Sequence, residues 1–195
     1  MDGLDRIRGL LLPDESLFER PVRTDREWQG RIFAVEHTQV ELPDGSLDWR
    51  EIVRHHGGAG VLVVRDGLMC LVRQWRIALG RMTLEIPAGK VDAGEEPIVC
   101  AARELAEETG LVADRLELVA VSNGAPGFTD EHTTVFVARG VRQGEAAPDE
   151  GELVNVVWLP VDEVLAAVRA GLLEDAKTVI AAQFAALETA AGGAD

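Results

Sequence analysis

From Arg31 onward apolar and polar positions alternate with a period of two in several short runs. "RIFAVEHTQVELPDGSLDWREIVRHH" reads as two strands around "PDGS", with Asp-Gly as the hairpin signal. "GVLVV", an "RDG" turn and "LMCLVRQW" read as a second hairpin, with Leu68, Cys70 and Val72 alternating on a core face. "MTLEI" is a short strand stopped by Pro87, Ala88 and Gly89. "RLELVAVS" and "HTTVFVARGV" are strands separated by "NGAPGFTDE", and "LVNVVWLP" follows the acidic loop "QGEAAPDEGE". The period changes to helical in "VDEVLAAVRAG", in "EDAKTVIAAQFAALETA" and between Pro97 and Gly110. Residues 1–27 show no clear periodicity and read as an arm or irregular segment. The order is α+β, without the regular strand–helix alternation of a doubly wound sheet.

The helix between Pro97 and Gly110 changes the question from fold to chemistry. Pro suits a first turn and Gly the position just past a last turn, and Ile98, Ala101, Ala102 and Leu105 mark the expected buried stripe. Glu104 and Glu108 are four apart and stack on one flank, with Glu107 beside them. Like charges so spaced repel by roughly a few tenths of a kcal/mol per pair, which weakens the free helix. A hard divalent cation reverses that sign, since carboxylate oxygens are what Mg²⁺ or Mn²⁺ prefers, and Mg²⁺ bridging phosphate oxygens points to phosphoryl chemistry. The bland alternative is a solvated acidic face.

Charge narrows the partners. At 195 residues with a net charge of -15, the chain is a poor partner for nucleic acid or an anionic membrane. An anionic small substrate must then be held by local arginines or bound cations. Cys70 and Cys100 lie in apolar runs and read as buried free thiols of a reducing compartment. The N-terminal residues do not read as a signal peptide and no apolar run approaches a bilayer's thickness, so a cytoplasmic location is expected. His55 and His56 have no partner at zinc spacing, and neither a P-loop nor a serine nucleophile elbow is present.

Nine positions between Gly89 and Leu111 occur with their gaps: Gly89, Glu95, Arg103, Glu104, Leu105, Glu107, Glu108, Gly110 and Leu111. This run resembles the Nudix box, G-x5-E-x7-R-E-U-x-E-E-x-G-U with U apolar, without a departure. The resemblance implies an α/β/α sandwich with a mixed sheet and the box as loop–helix–loop. It implies hydrolysis of a nucleoside diphosphate linked to another moiety, with Mg²⁺ (or Mn²⁺). It assigns metal binding and catalysis to Glu104 and Glu108 first and Glu107 next. Arg103 and Glu95 would orient that cluster through ion pairs, and Gly89 and Gly94 would let the loop turn.

The flanks are similar to the ADP-ribose pyrophosphatase branch over roughly residues 28–165. "LVRQWRIALGRMTLEIPAGK" implies that Arg76 contacts substrate phosphates and that the Ala88 carbonyl takes a metal. The "PDGS…WREIVRH" segment implies substrate contacts from Arg50 and Glu51, although strand neighbours point to opposite faces. Pro126 stands fifteen residues beyond the box, near the place where the branch keeps a proline, and "PGFTDE" extends the match. Trp28 either stacks on an adenine ring or packs internally. The residue that handles the attacking water is expected on a loop beyond the box: Glu150, with Glu152 as an added metal ligand, or Glu131, otherwise a substrate contact.

The expected activity is therefore metal-dependent cleavage of ADP-ribose to AMP and ribose 5-phosphate. The rivals are another nucleoside diphosphate sugar such as GDP-mannose, a Nudix module that binds nucleotide without cleaving it, and a scaffold with a merely solvated helix. The expected organisation is an N-terminal arm and β-hairpin, residues 1–56, extending a catalytic domain, residues 57–195. A homodimer is expected whose swapped N-terminal strands reach the partner's site, because a lone hairpin has too few strands to be stable.

Overall fold

The computed structural model describes residues 3–144 and 153–192. Glu150 and Glu152 lie outside the described residues. The chain divides into two compact units, Met1–His55 with Gly127–Asp130, and His56–Pro126 with Glu131–Asp195.

The first unit contains α1 (Gly3–Leu10), β1 (Arg20–Gln29), β2 (Phe33–Glu41) and β3 (Leu47–His55). The strands form an antiparallel sheet in that order. The expected hairpin is thus β2–β3, and the segment before it, expected as an arm or irregular stretch, holds the helix α1 and the third strand β1. β1 escapes sequence reading because its side chains are almost all exposed, so no apolar alternation marks it. The central strand β2 buries Ala34, Glu36, Thr38 and Val40 in alternation. Glu36 is tolerated there because Arg26 (2.9 Å) and Arg54 (2.8 Å) each take one of its oxygens. The segment Gly127–Asp130 adds to the edge: the Val53 N–H donates to the Phe128 carbonyl at 2.8 Å, and the Asp130 N–H to the Val53 carbonyl at 3.3 Å. Arg54 also pairs with Asp130.

The second unit holds β4 (Gly58–Leu62), β5 (Val64–Arg65), β6 (Leu68–Arg76), β7 (Arg81–Glu85), β8 (Ala88–Lys90), α2 (Pro97–Thr109), β9 (Leu111–Asn123), β10 (His132–Gln143), β11 (Val154–Pro160), α3 (Val161–Arg169) and α4 (Ala176–Ala190). One sheet runs β8-β4-β10-β9 and a second β11-β6-β5, with β7 on β6. The β4–β10 pair is parallel and the others antiparallel, which makes the first sheet mixed. The expected hairpin of "GVLVV" with "LMCLVRQW" shrinks to β5–β6, since β4 pairs with β8 and β10 instead.

Alternate residues of these strands enter two cores. Val61, Val63, Cys70 and Phe136 pack with Cys100, Ala101 and Leu105 of α2. Their neighbours Leu62, Met69, Leu71, Val135 and Val137 pack with Val164 of α3 and Ala181, Ala182 and Ala185 of α4. Helices on both faces make this an α/β/α sandwich. The same layering corrects the reading of β6: Met69 and Leu71 are as buried as Cys70 and Val72, whereas Leu68 is exposed. A strand covered on both faces becomes continuously apolar.

Candidate active site

Helix α2 starts after Glu96 with Pro97 in its first turn and stops at Gly110, whose φ of 70° is left-handed and whose N–H donates to the Ala106 carbonyl at 2.8 Å. Its buried face is Cys100, Ala101, Glu104, Leu105, Glu108 and Thr109. Ile98 and Ala102, expected in that stripe, are exposed. The helix is rolled so that two glutamates, only 7% and 8% exposed, face inward where the sequence pattern placed alanine and isoleucine. This rules out the solvated acidic face, because carboxylates are buried only with partners.

Strand β8 supplies part of the partnership. The Ala88 N–H donates to Glu108 Oε2 at 2.9 Å. At Gly89 a β-carbon would overlap Oε1, Cδ and Oε2 of Glu104. Arg103 organises the remaining charge. Its Nε and Nη2 donate to the two oxygens of Glu95, both at 3.1 Å, while Nη1 reaches Glu104 at 2.7 Å and Glu107 at 3.0 Å. Glu95 raises the Arg103 pKa above its ordinary value, burial opposes this, and Glu104 and Glu107 add to the rise. Glu95 in turn accepts from the Asp92 N–H at 3.0 Å, which ties the loop to the helix.

A second cluster, of which the sequence singles out Arg76 alone, lies at Glu85. Its carboxylate is almost fully buried and accepts from Nε and Nη2 of Arg76, both at 2.7 Å, from the Thr83 hydroxyl at 2.7 Å and from Lys177. Burial pushes this carboxyl up, but Arg76, Lys177 and Thr83 outweigh it and hold it at about 2. The available signal was an acid inside the apolar run Leu84–Ile86. Nothing local marks Lys177. These residues line one wall of a cavity of about 790 Å³, faced by Leu84, Leu159, Val164 and Leu173. Glu108 is near enough to add to the rise in the Arg76 pKa, which is due first to Glu85 and opposed by burial, with Asp175 contributing as well.

The other expected residues are placed as follows. Trp28, Arg50 and Glu51 belong to the first unit, and Arg76, Ala88, the box glutamates and Glu131 to the second. Trp28 is half exposed, with its ring on the α-carbon of Gly30 and 5.0 Å from that of Phe33. Arg50 is paired with Glu19 and Asp48, and Glu51 is exposed. Glu131 is exposed just before β10. Cys70 and Cys100 are free and buried, their thiols pushed up to about 12, chiefly by burial, so neither is a nucleophile.

Among the described residues no three His, Cys, Asp or Glu side chains converge closely enough to hold a metal alone. Glu104 and Glu107 both contact Arg103, but Glu107 is part-exposed whereas Glu104 and Glu108 are buried and form the inward pair. The two buried carboxylates offer oxygen donors alone, which fits a hard cation that keeps several waters.

Residues 54–183 match the profile of the NUDIX domain. The chain belongs to the Nudix family. An ADP-ribose pyrophosphatase of Bacillus subtilis (strain 168) is 38% identical to it over 179 residues, covering 90% of this chain and 97% of its own. A methanol dehydrogenase activator of Bacillus methanolicus is 38% identical over 175 residues, 88% of this chain and 95% of its own. The crystal structure of an ADP compounds hydrolase covers 91% of this chain and 97% of its own with a TM-score of 0.77 at 24% identity, and so shares the fold. The buried glutamates, Arg103 and Gly89 are thus the Nudix box of this chain in three dimensions, and Glu85 and Lys177 lie outside it.

Proposed function

We propose that this Nudix hydrolase cleaves the diphosphate of ADP-ribose with water, giving AMP and ribose 5-phosphate. The observation that carries the reading is the inward pair Glu104–Glu108 against β8, in a chain similar along nearly its whole length to an ADP-ribose pyrophosphatase. Mg²⁺ (or Mn²⁺), when bound, supplies polarisation of the attacking water and neutralisation of phosphate charge. Glu104, Glu108 and the Ala88 carbonyl hold the cation, joined by Glu152, and Glu107 supports the cluster through Arg103. Arg76, part-exposed in a chain of net charge -15, is the local cation for the substrate phosphates. Glu150 positions the water, and Glu131 contacts substrate. In the first unit Arg50 and Glu51 contact substrate, and Trp28, half exposed, stacks on the adenine.

We further propose a cytoplasmic homodimer in which residues 1–56 form the dimerising arm and each N-terminal sheet serves the partner's site. Leu10, Leu11, Leu12 and Leu17 are each at least 70% exposed, apolar surface that a second copy would cover. Among the described residues no helix is long and apolar enough to cross a membrane.

The test is turnover of a panel of nucleoside diphosphate derivatives with Mg²⁺ and with Mn²⁺. ADP-ribose is expected to be cleaved in preference to GDP-mannose and to nucleoside triphosphates, with activity abolished by chelator. Binding of ADP-ribose without metal-dependent turnover would leave the non-catalytic module standing instead.

A further inference from the structure

The hydrogen bonds of Arg76 lead away from the box, through Glu85, to the first turn of the last helix. Glu85 uses both oxygens: Oε1 accepts from Arg76 Nε and Thr83, and Oε2 from Arg76 Nη2 and Lys177 Nζ. The remaining nitrogen of Arg76, Nη1, has no hydrogen bond among the described residues, and the side chain is 42% exposed. A guanidinium and a carboxylate paired alone present almost no net charge to an approaching anion. Here a second cation, only 13% exposed, shares the same carboxylate.

Lys177 also pairs with Asp175, its Nζ 2.8 Å from Oδ1, while the other oxygen of that acid is used in capping the helix. Its Oδ2 accepts from the Thr178 N–H at 3.0 Å and from the Thr178 hydroxyl, capping α4, where the helix N-terminus offsets part of its charge. The Thr178 hydroxyl in turn accepts from the Ile86 N–H at 2.9 Å. The first turn of α4 is therefore fastened to the segment that carries Glu85, and the Lys177 ammonium stands at a fixed place beside it.

We propose that Lys177 is a positioning residue for phosphate recognition: by sharing the charge of Glu85, it leaves Arg76 with positive potential and a donor for the substrate diphosphate. The inference rests on Arg76 being the phosphate contact. Removal of the ammonium makes Arg76 the sole counter-charge of a buried carboxylate, and its attraction for phosphate falls.

The test measures ADP binding to the full chain with Mg²⁺ by calorimetry, in a cycle of wild type, Lys177→Met, Arg76→Gln and the double variant. Lys177→Met is expected to weaken ADP by about five- to tenfold, and to add nothing once Arg76 is gone, because residues acting through one another are not additive. Lys177→Arg is expected to restore affinity to within about twofold, as it keeps the charge. Lys177→Gln, which keeps a donor but no charge, is expected to behave like the methionine variant and replaces it should that variant fail to fold. In ADP-ribose turnover the same loss should appear in KM, with kcat within about twofold, the mark of uniform binding. Additive losses in the cycle, or unchanged ADP affinity in Lys177→Met or Lys177→Gln, overturn the proposal. A wild type that binds ADP but does not cleave ADP-ribose sinks the proposed activity, while the cycle still decides the role of Lys177. A wild type that binds no ADP sinks both.

Discussion

The carboxylate of Glu104 occupies the space that a β-carbon on Gly89 would fill. The glycine is therefore required for the placement of an acid fifteen residues away, on a different element. In Gly89→Ala the obstructed atoms are the far end of a flexible side chain, so Glu104 swings aside from its contact with Arg103 and the fold survives. The expected outcome is a melting temperature in chelator within a few degrees of wild type, with metal-dependent turnover reduced by about a hundredfold or more. Loss of stability with retained turnover would contradict this reading.

Glu104→Gln and Glu108→Gln test the cation site directly. Each keeps shape and removes one charge from the inward pair. Turnover is expected to fall by about two orders of magnitude or more at saturating Mg²⁺, with the circular dichroism spectrum unchanged. The rise of melting temperature with added Mg²⁺ should shrink in both variants, a readout independent of activity.

Arg103 holds Glu95, Glu104 and Glu107 together. Arg103→Ala leaves three carboxylates facing one another and should cost about 1–3 kcal/mol without divalent cation, less than a fully buried pair because the side chain is part-exposed. Added Mg²⁺ should recover part of that loss. Denaturant melts with and without Mg²⁺ give both numbers, and equal destabilisation in the two conditions would argue against a shared role.

Glu85 makes stability depend on acid. Its carboxyl lies at about 2 in the folded chain against an ordinary 4.5, so its contribution is complete above about pH 4.5 and disappears as pH falls toward 2. A shift of that size corresponds to about 3 kcal/mol. Glu85→Gln should melt lower than wild type at pH 7, and the gap should close between pH 4.5 and 2. Melting curves across that range check it, and a gap independent of pH would show that the carboxylate is not the source.

Two residues compete for the proposed handling of water, Glu150 and Glu131. Glu150→Gln is expected to lower kcat strongly with little change in substrate binding, the pattern of a transition-state contact, while Glu131→Gln acts mainly on KM. The reverse pattern in steady-state kinetics would transfer the role to Glu131.

Sedimentation at assay concentration tests the dimer. A dimer is expected, and an active monomer would refute the proposed sharing of N-terminal strands.

The sequence alone determined the features whose information is local. Period-two runs located β2, β3, β10 and β11, and the run from Gly89 to Leu111 carries the resemblance to the Nudix box, within which Glu104 and Glu108 recur at helical pitch. Side chains matched over long distances were decided only by tertiary structure. Lys177 meets Glu85 across 92 residues, and no local pattern anticipates which strand a helix start will touch. The roll of α2, which turns Glu104 and Glu108 inward and Ile98 outward, depends on what β8 offers beneath it: an N–H at Ala88 and an open α-carbon at Gly89. Strand β1 exists because β2 supplies its hydrogen bonds, not because its own exposed residues favour a buried face. Backbone pairing is indifferent to side-chain pattern once a neighbouring edge is present, and that edge exists only after the chain has folded.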